Sequence, residues 1–396
     1  MSGPGEYWIG EEEKEQVLDV LSSGHLSRYG VLDDPDFKHK VYTLEKEFAD
    51  YIGTNYCIAV SGGTNAIYIS LLALGIQPGD EVIVPGYTFC ATYTAIIFAG
   101  GIPVLTEIDE SLTINPDDIE KRITPNTKFI IPVHMLGNPS NMDKICEIAK
   151  KHNLKILEDS CQAIGAGYKG KKLGSIGEVG CFSLNNHKTI SSGDGGLIVT
   201  DREDCYKKSF AIHDQGHFPL RAGLELGKRE IMGMNFRMNE LSGAVALAQL
   251  RKLNKITAVL HRKKNLLRDQ IGEIPGMRWR KLNDIEGESG TLLTAIFEDR
   301  NRAQKVAEKI SSKTVNHSGW HVYSNMEHIL YHLKKVGQPH KKGILPRTDD
   351  ILSRSINLSV GVVDAGLGSG FGININSTEE EIVNVAKKFR ESVLNT

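Results

Sequence analysis

The sequence predicts an α/β fold, in which a large domain built on a mainly parallel sheet flanked by helices is followed by a smaller C-terminal α+β domain. Short apolar runs without polar–apolar alternation recur between segments of helical spacing, which is typical of buried parallel strands joined by helices. A chain of 396 residues also exceeds what one hydrophobic core usually serves, and this indicates the second domain.

The elements of the large domain follow one another in regular alternation. An N-terminal helix is predicted at Glu11–Leu21, where apolar residues at helical spacing follow an acidic first turn. Further along, Leu197–Thr200 is a short apolar strand and Leu241–Leu253 a long helix with a small, apolar face. Between the N-terminal helix and Leu197, the predicted strands are Cys57–Ser61, Glu81–Pro85, Ile102–Thr106, Lys128–Val133 and Lys155–Glu158. The predicted helices in the same part are Asn65–Leu74, Ala91–Phe98, Pro116–Arg122 and Met142–His152.

The C-terminal part of the chain has fewer recognisable elements. Leu292–Phe297 is a predicted strand and Ala303–Ile310 a predicted helix, and the capping box Ser377–Glu380 begins a final amphipathic helix. A glycine-rich stretch lies before that helix without the strand–GxGxxG–helix context of a dinucleotide loop, so no such loop is predicted there. Its glycines are Gly366, Gly368, Gly370 and Gly372.

These patterns divide the chain into three parts. We expect residues 1–34 to form an arm and a helix, residues 35–256 the large domain that carries the functional site, and residues 257–396 the small domain. The irregular arm could contact a partner subunit or border the site.

Composition excludes some classes of partner. Forty-seven basic and forty-nine acidic residues give a net charge of −2, which provides no general attraction to nucleic acid or to an anionic membrane. The N-terminal residues are polar and acidic, without the apolar core of a secretory signal, and no apolar run approaches the roughly 20 residues that span a bilayer. We therefore expect a cytoplasmic protein.

No metal site is predicted. The six cysteines are scattered without CxxC spacing, so buried free thiols in a reducing compartment are expected. His213 and His217 are four residues apart, but Gly216 argues against a helix that would bring them together.

Polar or aromatic residues follow three of the predicted strands, and ligands of such sheets bind at the carboxyl ends of the strands. Gly63 and Thr64 open a helix after the first strand and could cradle a phosphate, or could be an ordinary helix start. Phe89 could stack on a flat ring or pack in the core. Asp159, at a buried strand end, requires a cationic partner unless it caps the next helix.

A single lysine lies between two strand-like segments in the stretch Gly180–Gly196, GCFSLNNHKTISSGDGG. Burial near positive charge lowers the pKa of a lysine ammonium and lets the neutral amine condense with an aldehyde. Lys188 is either such a reactive amine or an ordinary solvated loop lysine. Together, a phosphate cradle, a stacking ring, a carboxylate and an amine match pyridoxal phosphate.

At this point the sequence resembles the DegT/DnrJ/StrS sugar aminotransferases, which have the type I fold of pyridoxal-phosphate enzymes. The resemblance runs from Glu11 to about Leu253 and is less sharp afterwards. The matching stretches are SGGTNAI at Ser61–Ile67, GDEVIVPGYTF at Gly79–Phe89, PVHMLG at Pro132–Gly137, LEDSCQAIGA at Leu157–Ala166, the Lys188 stretch with GDGG, and MNFRMNE at Met234–Glu240.

The resemblance implies a role for each matched residue. Lys188 is the catalytic lysine that bonds to pyridoxal phosphate, and Asp159 pairs with the ring nitrogen. Phe89 stacks on the ring, and Gln162, where many members have histidine, lies near its phenolic oxygen. The phosphate is bound by Gly63, Thr64 and Ser183, and by Asn235 of a second subunit, which implies a homodimer with shared sites.

The resemblance also implies a reaction and a class of substrate. Glutamate or glutamine gives its amino group to the cofactor, which becomes pyridoxamine phosphate and then aminates a keto or aldehyde sugar. Within the family, the chain is most similar to enzymes that aminate the terminal carbon of an eight-carbon keto sugar acid, an octulosonate. The residues expected near the substrate are His134, His187, Arg237 and Trp320.

Three alternatives remain open at this stage. Arg237 could instead be a structural ion-pair partner. A cofactor-dependent sugar dehydratase shares the fold, although the dehydratases that resemble this family replace the lysine with histidine. A regulator that only binds a ligand is the third alternative, but no helix-turn-helix or basic reading surface supports it.

Overall fold

The computed structural model describes residues 2–30, 33–219 and 229–396. A seven-stranded sheet lies at its centre, in the order β1-β9-β8-β5-β4-β2-β3, and a three-stranded antiparallel sheet, β10-β11-β12, forms the core of the C-terminal part. The strands are β1 Tyr56–Val60, β2 Glu81–Pro85, β3 Ile102–Thr106, β4 Thr127–Ile130, β5 Lys155–Asp159, β6 Gly167–Tyr168, β7 Lys171–Lys172, β8 Val179–Ser183, β9 Gly196–Thr200, β10 Met277–Trp279, β11 Leu292–Phe297 and β12 Ser355–Ser359.

The α/β fold class with a mainly parallel sheet is confirmed. Strand β9 runs antiparallel to both of its neighbours, and the other strand pairs of the large sheet are parallel. The carboxyl ends of β1, β2, β5 and β8 therefore meet at one edge of the sheet. Buried aliphatic residues fill both faces of these strands, which explains their continuous apolar runs.

Helices cover both faces of the large sheet. They are α1 Pro4–Tyr7, α2 Glu11–Ser23, α3 Lys40–Ile52, α4 Gly63–Ala73, α5 Cys90–Phe98, α6 Pro116–Arg122, α7 Met142–His152, α8 Glu203–His213, α9 Glu240–Ile271, α10 Arg300–Lys309, α11 Glu327–Lys335, α12 Pro346–Ser353 and α13 Glu379–Leu394. A capping box begins α13, but one residue later than the predicted Ser377–Glu380: Thr378 is the N-cap and Glu381 is its reciprocal partner.

Helix α9 is longer than the sequence pattern predicted. It continues past Leu253 to Ile271 and buries Ile256, Leu260 and Leu267 along the way. The boundary expected between residues 256 and 257 lies inside this helix. The helix therefore packs on both parts of the chain, against α3 in the large part and α13 in the C-terminal part.

Backbone hydrogen bonds join the C-terminal part to the edge of the sheet that carries the strand ends. Backbone N–H groups of Thr88 and Cys90 donate to the carbonyls of His321 and Trp320, at 2.9 and 2.8 Å. These bonds flank Phe89 and fix its backbone. The C-terminal part thereby forms one wall of the space above the strand ends.

Candidate active site

A cavity of about 660 Å³ lies at the carboxyl ends of β1, β2, β5 and β8. Each of these strands ends in, or is followed by, a residue that lines the cavity. Nine of the residues predicted from the sequence come together there: Gly63, Thr64, Phe89, Asp159, Gln162, Ser183, His187, Lys188 and Trp320.

The first turn of α4 provides backbone donors on one side of the cavity. Helix α4 begins at Gly63, and no side chain caps its N-terminus. A Cβ at Gly63 would lie 2.6 Å from Ser183 Cβ and 3.1 Å from Ser183 Oγ, so glycine allows the helix to approach the serine. Free N–H groups, the helix dipole and the hydroxyls of Thr64 and Ser183 form a suitable site for a phosphate.

Asp159 occupies the end of β5 and is 4% exposed. Its Oδ2 accepts a hydrogen bond from Thr92 Oγ1 at 2.7 Å, and its Oδ1 accepts one from the backbone N–H of Cys161 at 3.1 Å. Thr88 Oγ1 lies 2.8 Å from Thr92 Oγ1 and extends the chain of hydroxyls. These bonds fix the orientation of a carboxylate that can pair with a cationic ring nitrogen.

Lys188 lies in the loop between β8 and β9, and its side chain is half-buried at the cavity wall. Loss of hydration lowers the pKa of its ammonium below the ordinary lysine value, although the carboxylates of Asp159 and Asp364 act in the opposite direction. The backbone of this loop is fixed by a hydrogen bond from Gly3 N–H to the carbonyl of Asn186, at 2.8 Å. The environment favours the neutral amine that an aldehyde requires.

Phe89 and Gln162 line other parts of the cavity. The Phe89 ring is 40% exposed, and its centroid lies 5.2 Å from that of His321 at an interplanar angle of 49°. Gln162 Oε1 accepts a hydrogen bond from Leu136 N–H at 3.1 Å. An exposed aromatic face beside a fixed amide suits a planar ligand with polar substituents.

The residues present fit pyridoxal phosphate. The close approach at Gly63 leaves backbone donors for its phosphate, Asp159 offers an anchored carboxylate to the ring nitrogen, and Lys188 offers an amine to the aldehyde. Phe89 supplies an exposed ring face for stacking.

Residues 8–363 match the model of the DegT/DnrJ/EryC1/StrS aminotransferase family. The chain belongs to this family. The spore coat polysaccharide biosynthesis protein SpsC of Bacillus subtilis is 31% identical over 359 residues, which cover 88% of this chain and 90% of SpsC.

Further comparisons connect the chain to other DegT-type proteins. The GDP-perosamine synthase of Caulobacter vibrioides is 38% identical over 251 residues, 63% of this chain, and the match spans only 64% of the length of that synthase. The crystal structure of NtdA from Bacillus subtilis with bound cofactor PMP superposes with a TM-score of 0.78 at 27% identity. That superposition covers 98% of this chain and 83% of NtdA.

His134 matches a DegT motif but does not line the cavity, so its expected place near the substrate is wrong. The side chain is fully buried, with Nε2 3.0 Å from Glu158 Oε2, and its Nδ1 accepts from Ser140 N–H. Burial alone would raise the pKa of Glu158, but bonds from His134 and from backbone N–H groups such as that of Gly177 hold it below its ordinary value. His134 thus stabilises the strand ends beneath the cavity.

Arg237 and Asn235 also lie outside the cavity of their own chain. Arg237 Nη1 forms an ion pair with Asp214 Oδ1 at 2.6 Å, and its guanidinium lies 5.5 Å from the centre of the Tyr29 ring. Within one chain, Arg237 therefore acts as a structural ion-pair partner, which was the alternative to a place near the substrate. Asn235 is exposed, and its expected contact with the site of a second subunit stays a prediction.

The structure places at the site several residues that were not among the predicted site residues. Thr92 supports Asp159 from helix α5. His321 and Asp364 line the cavity from the C-terminal part; burial, with the nearby charges of Lys188 and His187, lowers the pKa of His321 to about 3. Two of them had a signal in the sequence: His321 adjoins Trp320, which the family resemblance placed near the substrate, and Thr92 lies four residues after Thr88.

Proposed function

We propose that this chain is a pyridoxal-phosphate-dependent aminotransferase that moves an amino group from glutamate or glutamine to a keto or aldehyde sugar. The observation that carries the proposal is the convergence of Lys188 and the anchored Asp159 carboxylate on one cavity, which the uncapped start of α4 also lines. Membership of the DegT family supports it.

The chain's residues bind and orient the reactants. When bound, pyridoxal phosphate supplies an aldehyde that captures amines and a ring that accepts electrons. Asp159 keeps the positive charge of the ring nitrogen in place, and the first turn of α4 with Ser183 binds the phosphate. The neutral amine of Lys188, favoured by burial, takes a proton from Cα of the amino donor and returns one to the carbon that is aminated.

A sugar is the proposed acceptor because the sequence motifs resemble those of sugar aminotransferases, and because relatives are named for perosamine and for spore coat polysaccharide. The terminal aldehyde of an octulosonate, expected from the sequence, is one specific candidate. A screen of keto and aldehyde sugars against the aminated enzyme distinguishes it from the alternatives. A product aminated at another carbon would contradict the octulosonate proposal.

We also propose that the protein is a homodimer with shared sites. Among the described residues that line the cavity, Lys188 is the one lysine or arginine, whereas Asp159, Asp194 and Asp364 contribute carboxylates. An anionic phosphate and an anionic amino donor require more polar and cationic groups than this wall supplies. Asn235 is exposed and outside its own cavity, which supports a role for it in the site of the partner subunit.

The test follows the donor half of the reaction. Purified protein loaded with pyridoxal phosphate is mixed with glutamate or glutamine, and the absorbance change of the cofactor is recorded together with release of the keto acid. We expect one equivalent of keto acid per cofactor, together with a change in the absorbance of the cofactor. Addition of a keto sugar should then reverse the absorbance change. A protein that binds the cofactor but releases no keto acid would be a binder, and one that dehydrates the sugar without net amino transfer would be a dehydratase.

A further inference from the structure

A strained turn forms part of the wall of the active-site cavity. This 3₁₀ turn, Met135–Gly137, comes after β4, and Leu136, which lines the cavity, has the left-handed dihedral angles φ 55° and ψ 33°. A residue with a Cβ rarely adopts this conformation, because its Cβ approaches the backbone too closely. Such strain persists only where the surrounding structure fixes it, so the turn must be stabilised by its neighbours.

The turn anchors the side chain of Gln162. Leu136 N–H donates to Gln162 Oε1 at 3.1 Å, and Gln162 also lines the cavity. In the part of the chain that the structure describes, Gln162 Nε2 takes part in no hydrogen bond. Because the turn binds the oxygen of this amide, its two N–H donors are left for a ligand.

The rest of the site indicates which ligand group meets these donors. Asp159 suits the ring nitrogen of pyridoxal phosphate, Lys188 its aldehyde, and the start of α4 its phosphate. The phenolic oxygen is the acceptor on the ring that remains, and the resemblance to the DegT family also implies that Gln162 lies near it. The orientation of the Gln162 amide therefore decides whether this oxygen meets a donor.

A buried arginine stabilises the turn. Arg280 follows β10, and its Nη2 donates to the carbonyl of Leu136 at 2.8 Å and its Nη1 to the carbonyl of Met135 at 3.2 Å. The rigid, planar guanidinium thus bonds two successive carbonyl groups, which the single ammonium of a lysine does not reproduce. Burying a guanidinium is costly unless its donors are used, and here they are used to hold the strained turn.

We propose that Arg280 is a positioning residue for the cofactor: it fixes the turn Met135–Gly137, the turn fixes the Gln162 amide, and the amide donates to the phenolic oxygen of pyridoxal phosphate. The inference rests on the proposed function, because it concerns the cofactor of that reaction. Arg280 is not among the described residues that line the cavity, so it acts through the turn. The C-terminal part of the chain thereby helps to orient the cofactor.

The test compares two cofactors. The analogue 3-deoxypyridoxal phosphate lacks the phenolic oxygen but keeps the phosphate, the aldehyde and the ring nitrogen. Arg280→Lys keeps the charge but cannot bond both carbonyls, and Gln162→Leu removes the amide. Arg280→Gln is made in parallel, so that the result does not depend on the folding of one variant; it leaves Lys264 and Glu288, 2.8 Å apart, as a charge-balanced pair.

The dissociation constants of both cofactors are measured with the full-length chain after removal of any bound cofactor. We expect Arg280→Lys, Arg280→Gln and Gln162→Leu each to bind pyridoxal phosphate about 10-fold more weakly, the contribution of one hydrogen bond to a charged group. Each should bind the 3-deoxy analogue as the wild type does. The double variant Arg280→Lys/Gln162→Leu should be no weaker than Gln162→Leu, because a residue that acts through another adds nothing once that other is removed.

Arg302 provides a matched control. Its Nη1 and Nη2 donate to the carbonyls of Pro275 and Val393, at 2.8 and 3.1 Å, and it is not among the described residues that line the cavity. Arg302→Lys therefore removes the same kind of contact away from the site. It should bind both cofactors as the wild type does.

Three results would overturn the inference. An equal loss of affinity for both cofactors would show that Arg280 supports the wall in general, and unchanged binding in the Arg280 variants would show that the turn needs no arginine. A double variant weaker than Gln162→Leu would exclude action through Gln162. The donor half of the reaction separates these failures from that of the proposed function: a wild type that binds the cofactors as expected but releases no keto acid from glutamate or glutamine would refute the aminotransferase and support the positioning role.

Discussion

The hydroxyl of Thr92 donates a 2.7 Å hydrogen bond to Asp159 Oδ2, and Thr88 supports Thr92 from 2.8 Å. All three side chains are buried. A buried carboxylate that is held by a hydroxyl on one oxygen and a backbone N–H on the other has a fixed direction. Asp159 is thus oriented toward its partner before any ligand binds.

Replacing Thr92 tests this arrangement. Thr92→Val removes the donor without changing the shape of the side chain, and we expect the affinity for pyridoxal phosphate or kcat to fall about 10-fold, as for a lost hydrogen bond to a charged group. Thr92→Ser keeps the hydroxyl and serves as the control. If the wild type and the valine variant have the same cofactor affinity and the same kcat, the hydrogen bond from Thr92 is not needed to orient Asp159.

Adding a methyl group at Gly63 tests the phosphate cradle. The new Cβ would lie 2.6 Å from Ser183 Cβ and would push helix α4 away from the serine. We expect Gly63→Ala to weaken binding of pyridoxal phosphate by about 10-fold, the effect of a modest overpacking cost. Titration of the protein with the cofactor measures this. Gly370→Ala, where a Cβ meets nothing within 4 Å, should bind as the wild type does.

The N-terminal residues position the Lys188 loop. A Cβ at Gly3 would overlap the Lys188 carbonyl oxygen, and one at Gly5 would lie 2.7 Å from Ile190 Cα. We expect Gly3→Ala to displace the loop and to lower cofactor affinity by about 10-fold, with Gly370→Ala again as the control. Unchanged affinity and unchanged turnover would mean that the N-terminal segment does not position the loop.

The buried imidazole of His321 predicts acid sensitivity. Its pKa is about 3 in the folded chain and about 6.5 in the unfolded chain, so between these values only the unfolded chain takes up the proton. Stability should therefore fall with decreasing pH across this window, by about 1.4 kcal/mol per pH unit for one proton.

Urea unfolding of the holoenzyme at pH 5 and pH 6 measures this dependence. Ser318 Oγ lies 2.9 Å from His321 Nδ1, and His321→Asn keeps a polar partner for it. The variant should reduce the slope of the unfolding free energy against pH by the contribution of one proton. Identical slopes in the variant and the wild type would contradict the low pKa.

Strand-end residues could be predicted from the sequence because a parallel sheet brings the carboxyl ends of its strands to one edge. This placed Gly63, Phe89 and Asp159 together, and the position of Lys188 between two strands brought it to the same edge. Trp320, the neighbour of His321, could be predicted only from the family resemblance, and Asp364 could not be predicted, because both reach the cavity through the packing of the C-terminal part on the sheet. That packing depends on contacts far apart in the chain, which local patterns do not contain.

Two other features show the same limit. The motif around His134 matched the family, but its burial against Glu158 became visible only in the folded chain. Helix α9 continues beyond Leu253 because its basic segment packs against the C-terminal part, where Lys264 lies 2.8 Å from Glu288. Burial lowers the pKa of Lys264 to about 8, although the Glu288 carboxylate acts in the opposite direction. The basic residues Arg262, Lys263, Lys264 and Arg268 predict a solvated helix face, so the burial of Lys263 and Lys264 could not be predicted from the sequence.

Chemical trapping of the cofactor tests the central claim most directly. The protein loaded with pyridoxal phosphate is treated with sodium borohydride, digested, and sequenced by mass spectrometry, with Lys188→Ala treated in parallel. We expect the reduced cofactor on Lys188 in the wild type, and neither label nor turnover in the variant. A label on a different lysine, or a wild-type protein that binds no pyridoxal phosphate, would contradict the account.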